Sequence, residues 1–209
     1  NIVKIHSVIE SGSNKDKACS CISISADGTL VASGHADGSI VVLEIKTGKV
    51  ITTFEHKNKV RSISFISNTT IAAVNNSKDV VLRNIDLKKE VKKAPKFDAN
   101  VRVRCVTYSP VGNITTGDDY GIVMVRNAVT SKTEFEFQIP GYPIIHSLCY
   151  LRNGFLAVGT SEGIVHIINT KLKDTETWSE DEKNMHDMIA KELGINIMTT
   201  DKEIHKKIG

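Results

Sequence analysis

CSCISISADGTLVASGHADGSIVVLEIKTGKVITTF, residues 19–54, holds most of what the chain says about its own folding. CSCISIS (19–25) alternates polar and apolar residues with a period of two, the mark of a half-buried strand. Asp27-Gly28 then offers a tight turn, LVAS (30–33) runs back, and Ala36-Asp37-Gly38 turns the chain again. IVVLEI (40–45) follows, and Thr47-Gly48 reverses it into KVITTF (49–54). Short β-branched runs separated by Asp-Gly and Thr-Gly turns predict consecutive antiparallel hairpins, here a four-stranded meander.

The same unit recurs. Its first strand reads ISI (22–24), ISF (63–65), VTY (106–108) and LCY (148–150), so Ile24, Phe65, Tyr108 and Tyr150 are spaced by 41, 43 and 42 residues. Its third strand reads IVVLEI (40–45), VVLRNI (80–85), IVMVRN (122–127) and IVHIIN (164–169), which aligns Ile40 with Val80, Ile122 and Ile164. Later turns fall at Ser67-Asn68, Val111-Gly112-Asn113 and Arg152-Asn153-Gly154. A period near forty describes a unit that cannot bury its apolar face alone and must stack on neighbours. The middle of the first strand is always small (Ser23, Ser64, Thr107, Cys149), as crowding near an axis demands, and the third strand is apolar almost throughout. Radial stacking into an all-β propeller follows, with units at about 18–56, 57–98, 99–140 and 141–172.

The segment DGTLVASGHADGSIVVLEIKTGKVITTFEHKNKVRSISF (27–65) resembles the WD-repeat family, and the resemblance extends over roughly residues 18–172. In that family a hydrogen-bonded His, Ser/Thr, Asp and Trp tie each blade together. The resemblance sets Ser33 and Asp37 in those places in the first blade, Thr116 and Asp119 in the third, and His56 where the family's Gly-His pair stands, with Glu55 for the Gly. The family Trp is replaced by Leu43, Arg83, Val125 and Ile168. Four such units seldom close a ring. The reading is therefore a partial propeller, completed by further blades, a partner or a second copy. NIVKIHSV (1–8) reads as the outer strand of an adjoining blade.

Beyond residue 173 the pattern becomes helical. Ser179 with Glu182 and Thr200 with Glu203 are capping boxes, and Met185, Met188, Ile189 and Leu193 share a helical face that Gly194 ends. A helical hairpin is expected over 173–209.

Composition narrows the chemistry. The chain has 209 residues, 40% hydrophobic, with no apolar run long enough to span a bilayer. Its four cysteines show no CxxC spacing, which favours a reduced, intracellular setting, cytoplasmic or nuclear. The sequence starts at Asn1 and reads as part of a longer protein. No phosphate-binding Gly loop, zinc-binding His pair or nucleophile elbow occurs, so no enzyme activity, cofactor or metal is expected.

The function expected is a protein-interaction scaffold within a multiprotein complex, bound to other protein subunits. The resemblance implies a partner-binding face built from His35, Lys57, Lys59, Asn75, Asn76, Asp118, Asp119, Tyr120, Tyr142 and Ser161. Two alternatives stand beside it. Lys88, Lys89, Lys92, Lys93 and Lys96, with Arg61, Arg102 and Arg104 nearby, form a basic flank suited to phosphates, as in an RNA-containing assembly such as a ribosome-maturation particle. Aromatics make up only 5% of the chain, too few for a base-stacking platform, and outer-strand lysines also deter edge pairing. The other alternative is a vesicle-coat or ciliary-transport subunit, in which a propeller precedes helical repeats.

Overall fold

The structure, a computed structural model, describes residues 18–75, 80–86, 89–90, 101–130, 132–151 and 154–170. These residues form four antiparallel sheets in chain order, each a simple meander. The first comprises β1 (Cys19–Ile24), β2 (Leu30–His35), β3 (Ser39–Glu44) and β4 (Val50–Glu55). The second has β5 (Val60–Ser67), β6 (Thr70–Asn75), β7 (Val80–Asn84) and the short β8 (Lys89–Glu90). β9 (Val103–Tyr108), β10 (Asn113–Asp118), β11 (Ile122–Asn127) and β12 (Thr133–Gln138) make the third. β13 (Ile145–Tyr150), β14 (Phe155–Thr160) and β15 (Val165–Asn169) make the fourth. The expected strand at 1–8 and helical hairpin at 173–209 lie outside the described residues.

The turns form as their chemistry requires. Asp27 Oδ1 accepts from the Thr29 amide at 3.0 Å and the Thr29 hydroxyl at 2.8 Å, closing the β1–β2 turn. Asp37 Oδ1 does the same for Ser39 at 2.9 and 2.7 Å in the β2–β3 turn. Gly38 sits there at φ +92°, and a Cβ on it would lie 2.2 Å from the His56 carbonyl oxygen, so only glycine lets the two loops meet.

The four sheets stack by their first strands: β1 packs on β5, β5 on β9 and β9 on β13. The second strand of each sheet also packs on the first strand of the next, as β2 does on β5, β6 on β9 and β10 on β13. Three apolar seams result. In the first, Ala32, Ile40, Val42 and Phe54 on the back of one sheet meet Val60, Ile63, Phe65 and Ile71 on the front of the next. Ala72, Val74, Val80 and Leu82 meet Val103, Val106 and Ile114 in the second. Cys105, Val123 and Ile139 meet Ile145, Leu156, Val158 and Ile168 in the third.

Polar side chains on the first strands also bridge these seams. Ser23 Oγ accepts from the Phe65 amide at 3.1 Å. Ser62 Oγ accepts from the Val106 amide at 3.2 Å, and Cys105 Sγ donates weakly to the Ile145 carbonyl at 3.8 Å. A small first-strand residue therefore does more than avoid crowding: it reaches the neighbouring sheet's backbone.

Strand register makes Ile24, Phe65, Tyr108 and Tyr150 equivalent, since they pair with Val31, Ile71, Ile114 and Leu156 in turn. The third strands correct the sequence alignment by one residue in two repeats. Ile40 pairs with Gly34 and Val80 with Val74, but Val123 with Gly117 and Val165 with Gly159. Val123 and Val165, not Ile122 and Ile164, are the true equivalents. It follows that Arg126 rather than Val125 is the register mate of Leu43, Arg83 and Ile168. Val125 lies fully buried on the other face of its sheet.

The stack is open among the described residues. Ile22 and Ile24 on the front of the first sheet are 65% and 57% exposed, whereas their equivalents Ile63 and Phe65 are 5% and 8% exposed. On the back of the fourth sheet Ser147 and Cys149 are exposed, where Ser62, Cys105, Ser23 and Thr107 face a neighbour or are half-buried.

Candidate partner-binding face

Antiparallel meanders put their loops at two ends. The β2–β3 turn (36–38) and β4–β5 loop (56–59) share one end, as the Gly38–His56 contact shows. In the third sheet the β10–β11 turn (119–121) and β12–β13 loop (139–144) share the same end, with a Cβ on Gly121 only 3.0 Å from the Pro143 carbonyl oxygen. The β14–β15 turn around Ser161 belongs there too.

This end is where nine of the ten expected partner-binding residues sit, and they divide in two. His35, Asn75 and Asp118 are buried. They close their own second strands, with His35 Nε2 3.0 Å from Ser33 Oγ and Asp118 Oδ1 accepting from the Tyr120 and Ile122 amides at 2.8 and 2.9 Å. Burial raises the Asp118 carboxyl above its ordinary range, opposed by those two amide hydrogen bonds. Asp119 is half-buried and paired with Arg104. Ser161 is exposed, and its hydroxyl accepts from the Ile144 amide at 3.1 Å. Lys57 and Lys59 are exposed. The tenth, Asn76, lies outside the described residues, as do Lys88, Lys92, Lys93 and Lys96; Lys89 lies in β8.

Tyr120 and Tyr142 stand out from the rest. They are 58% and 66% exposed, and each directly precedes one partner of the Gly121–Pro143 contact, so the two rings rise from touching loops. Tyr142 has φ +58°, the left-handed region that costs a non-glycine residue roughly 1–2 kcal/mol. Such a backbone persists only where the surrounding structure holds it in place. Gln138 Nε2 donates to the Tyr120 carbonyl at 2.7 Å and fixes the first loop.

The family tetrad is rebuilt here. Ser33 engages His35 on its own strand, while His56 has a buried Nε2 with no hydrogen-bond partner. At the Trp position of the second sheet, the Arg83 guanidinium lies over the Phe54 ring at 5.9 Å and donates to the Glu55 carbonyl at 3.4 Å. The cation thereby grips the preceding sheet from the place where the family has an aromatic ring.

Among the described residues no three His, Cys, Asp or Glu side chains are grouped to hold a metal ion. The four cysteines are free thiols, and burial pushes Cys105 up to about 12, an inert packing residue. No helix of the described residues is long and apolar enough to cross a membrane.

A family model described as the Vps8 beta-propeller matches residues 4–94, a span that takes in the first two sheets. The chain is an arc of a β-propeller. Among solved structures it resembles the computationally designed Ika4 protein, with a TM-score of 0.59 at 19% identity over 73% of this chain and 91% of that one. The designed Ika8 protein matches with a TM-score of 0.57 at 19% identity over 71% of this chain, and the arc spans 44% of the Ika8 chain. No curated protein matches by sequence. Among the described residues, three four-stranded sheets and one of three strands, joined back to front through their first strands, thus match the propeller blades that the repeat had predicted.

The sequence had flagged Arg61, Arg102 and Arg104 only as neighbours of a lysine run. It gave His146 no role beyond that of one of seven scattered histidines. Its signal was available, because His146 follows the first residue of its inner strand as Arg61 and Arg104 follow theirs.

Proposed function

We propose that the chain is a scaffold segment of a multiprotein trafficking complex, holding a partner protein against the loop end that carries Lys57, Lys59, Tyr120, Tyr142 and Ser161. The match to the Vps8 beta-propeller model carries this reading, and it favours the vesicle-transport alternative over the RNA-containing assembly. The exposed tyrosine pair supports the choice of end, since tyrosine is among the residues enriched at the hot spots of protein interfaces. The mechanism is presentation rather than chemistry: stacked sheets fix the loops, and the loops offer side chains at set spacings.

The test is affinity purification of the parent protein carrying Tyr120→Ser and Tyr142→Gly together, against a Val129→Ser control at the opposite loop end. Partner proteins recovered with the unaltered protein and the control, and lost with the tyrosine variant, are the expected result. Recovery that depends on intact RNA, or that survives removal of both tyrosines, contradicts it.

A further inference from the structure

The seams between sheets repeat one fitting. Gly34 in β2 and Gly117 in β10 each leave a notch on the rear of their sheet, and the next first strand fills it. A Cβ on Gly34 would lie 2.6 Å from Val60 Cγ1 and 2.8 Å from Ile63 Cδ1, and one on Gly117 would lie 2.5 Å from Ile145 Cγ2. Val74 holds the same place in the second sheet. Beside these positions the Ser23 and Ser62 hydroxyls accept the Phe65 and Val106 amides of the following strand.

The fourth sheet carries the same fitting, open among the described residues. Register makes Gly159 the equivalent of Gly34 and Gly117, Ser147 that of Ser62, and Cys149 that of Ser23. Ser147 and Cys149 are exposed, and a Cβ on Gly159 would meet only Ser147. Farther out on that rear face Phe155 and Ile167 are buried, so the open ground is the inner strand and its notch. The first sheet carries the matching front. Ile22 is the register mate of Ile63, Val106 and Leu148, and Ile24 that of Phe65, Tyr108 and Tyr150. All six mates are buried or half-buried, while Ile22 and Ile24 are exposed.

We propose that a second copy of this chain seats the front of β1 on the rear of β13, with its Ile22 in the Gly159 notch as Ile63 sits in the Gly34 notch. The Ile22 amide then meets Ser147 Oγ as the Val106 amide meets Ser62 Oγ, and the Ile24 amide meets Cys149 Sγ as the Phe65 amide meets Ser23 Oγ. Thiol sulfur is a weak acceptor, so covering the two isoleucines supplies most of the attraction. A second copy suits this site better than an unrelated apolar surface. The rear of β13 calls for apolar side chains and backbone amides in one register, and that register already joins the sheets within the chain. Front-to-front pairing of two first sheets would cover the isoleucines but leave the notch and both polar side chains in water. The loop end with Tyr120 and Tyr142 takes no part, so the scaffold reading is tested separately.

The experiment uses two single variants of the 209-residue chain, Ile24→Glu and Cys149→Lys, followed by sedimentation equilibrium with reductant present. The unaltered chain should associate reversibly. Each variant alone should associate about tenfold or more weakly, since it buries a charge without a partner. An equal mixture of the two should recover most of the association. One seam then pairs the new carboxylate with the new ammonium, and the other seam is unaltered. Both positions are exposed, so melting temperatures should hold, and Tyr120→Ser at the loop end should leave association unchanged. Three results overturn the proposal: a chain that stays monomeric at every concentration, a Cys149→Lys chain that associates like the unaltered one, or a mixture as weak as its components. The second of these would assign the association to front-to-front pairing.

Discussion

His56 shows how a residue assigned from a family pattern can end in a different role. Glu55-His56 occupies the sequence position of the family's Gly-His, but the hydroxyl that such a histidine would seek, Ser33, is taken by His35 two residues along the same strand. His56 is left with a buried, unpartnered Nε2, and burial first, then the charge of Arg83, pushes its pKa from 6.5 down to about 4. The sign of the consequence follows. The folded chain resists the proton that the unfolded chain accepts, so stability is full above about pH 6.5 and is lost as pH falls from there toward 4. Urea midpoints measured across that window should decline, and His56→Gln should flatten the part of the decline that belongs to this ring. An unchanged profile in the variant would assign the decline to other groups. Nothing in the sequence could have separated His35 from His56, because the choice depends on which ring reaches Ser33 in three dimensions.

At the level of strands, the spacing of the repeat was readable because two anchors, the first-strand triplet and the third-strand apolar run, kept one period near forty residues. The third-strand register was not. IVMVRN and IVHIIN begin with an isoleucine in the place that Ser39 holds in the first blade, so the apolar run starts one residue early. An unbroken apolar run carries no alternation to fix its phase. Contacts between blades were equally hidden. Gly117 is the clearest instance: a Cβ there would lie 2.5 Å from Ile145 Cγ2 and 3.0 Å from Cys105 Sγ. Gly117→Val should therefore destabilise the third seam by about 1–3 kcal/mol through overpacking. Equilibrium denaturation is the measurement, and a midpoint equal to that of the unaltered chain would show that Ile145 yields freely. The partner-binding candidates followed the same rule. The family resemblance pointed to their loop end, whereas the burial of His35, Asn75 and Asp118 depends on how neighbouring blades cover them.

For the whole molecule, the exposed front of the first sheet matters most. Ile22 and Ile24 present the same apolar pattern that Ile63 and Phe65 bury against a neighbour. Each buried side chain of this kind contributes on the order of 1.5–3 kcal/mol when covered, so the bare face favours association. Sedimentation velocity of the 209-residue chain should show concentration-dependent self-association, and Ile22→Lys with Ile24→Lys should suppress it without lowering the melting temperature. The same change at Ile63 should unfold the first seam instead. Association undiminished by the lysines would locate the sticky surface elsewhere.

Every seam in this stack has one polarity, the rear of a sheet against the front of its successor, and Ser23, Ser62 and Cys105 all reach forward across it. Contacts of that kind are directional, like the links of a chain rather than the clasp of a mirror pair. Nothing in a single link tells the assembly when to stop. Only the angle between successive sheets decides whether growth meets its own tail and ends as a circle, or misses it and continues as a spiral fibre.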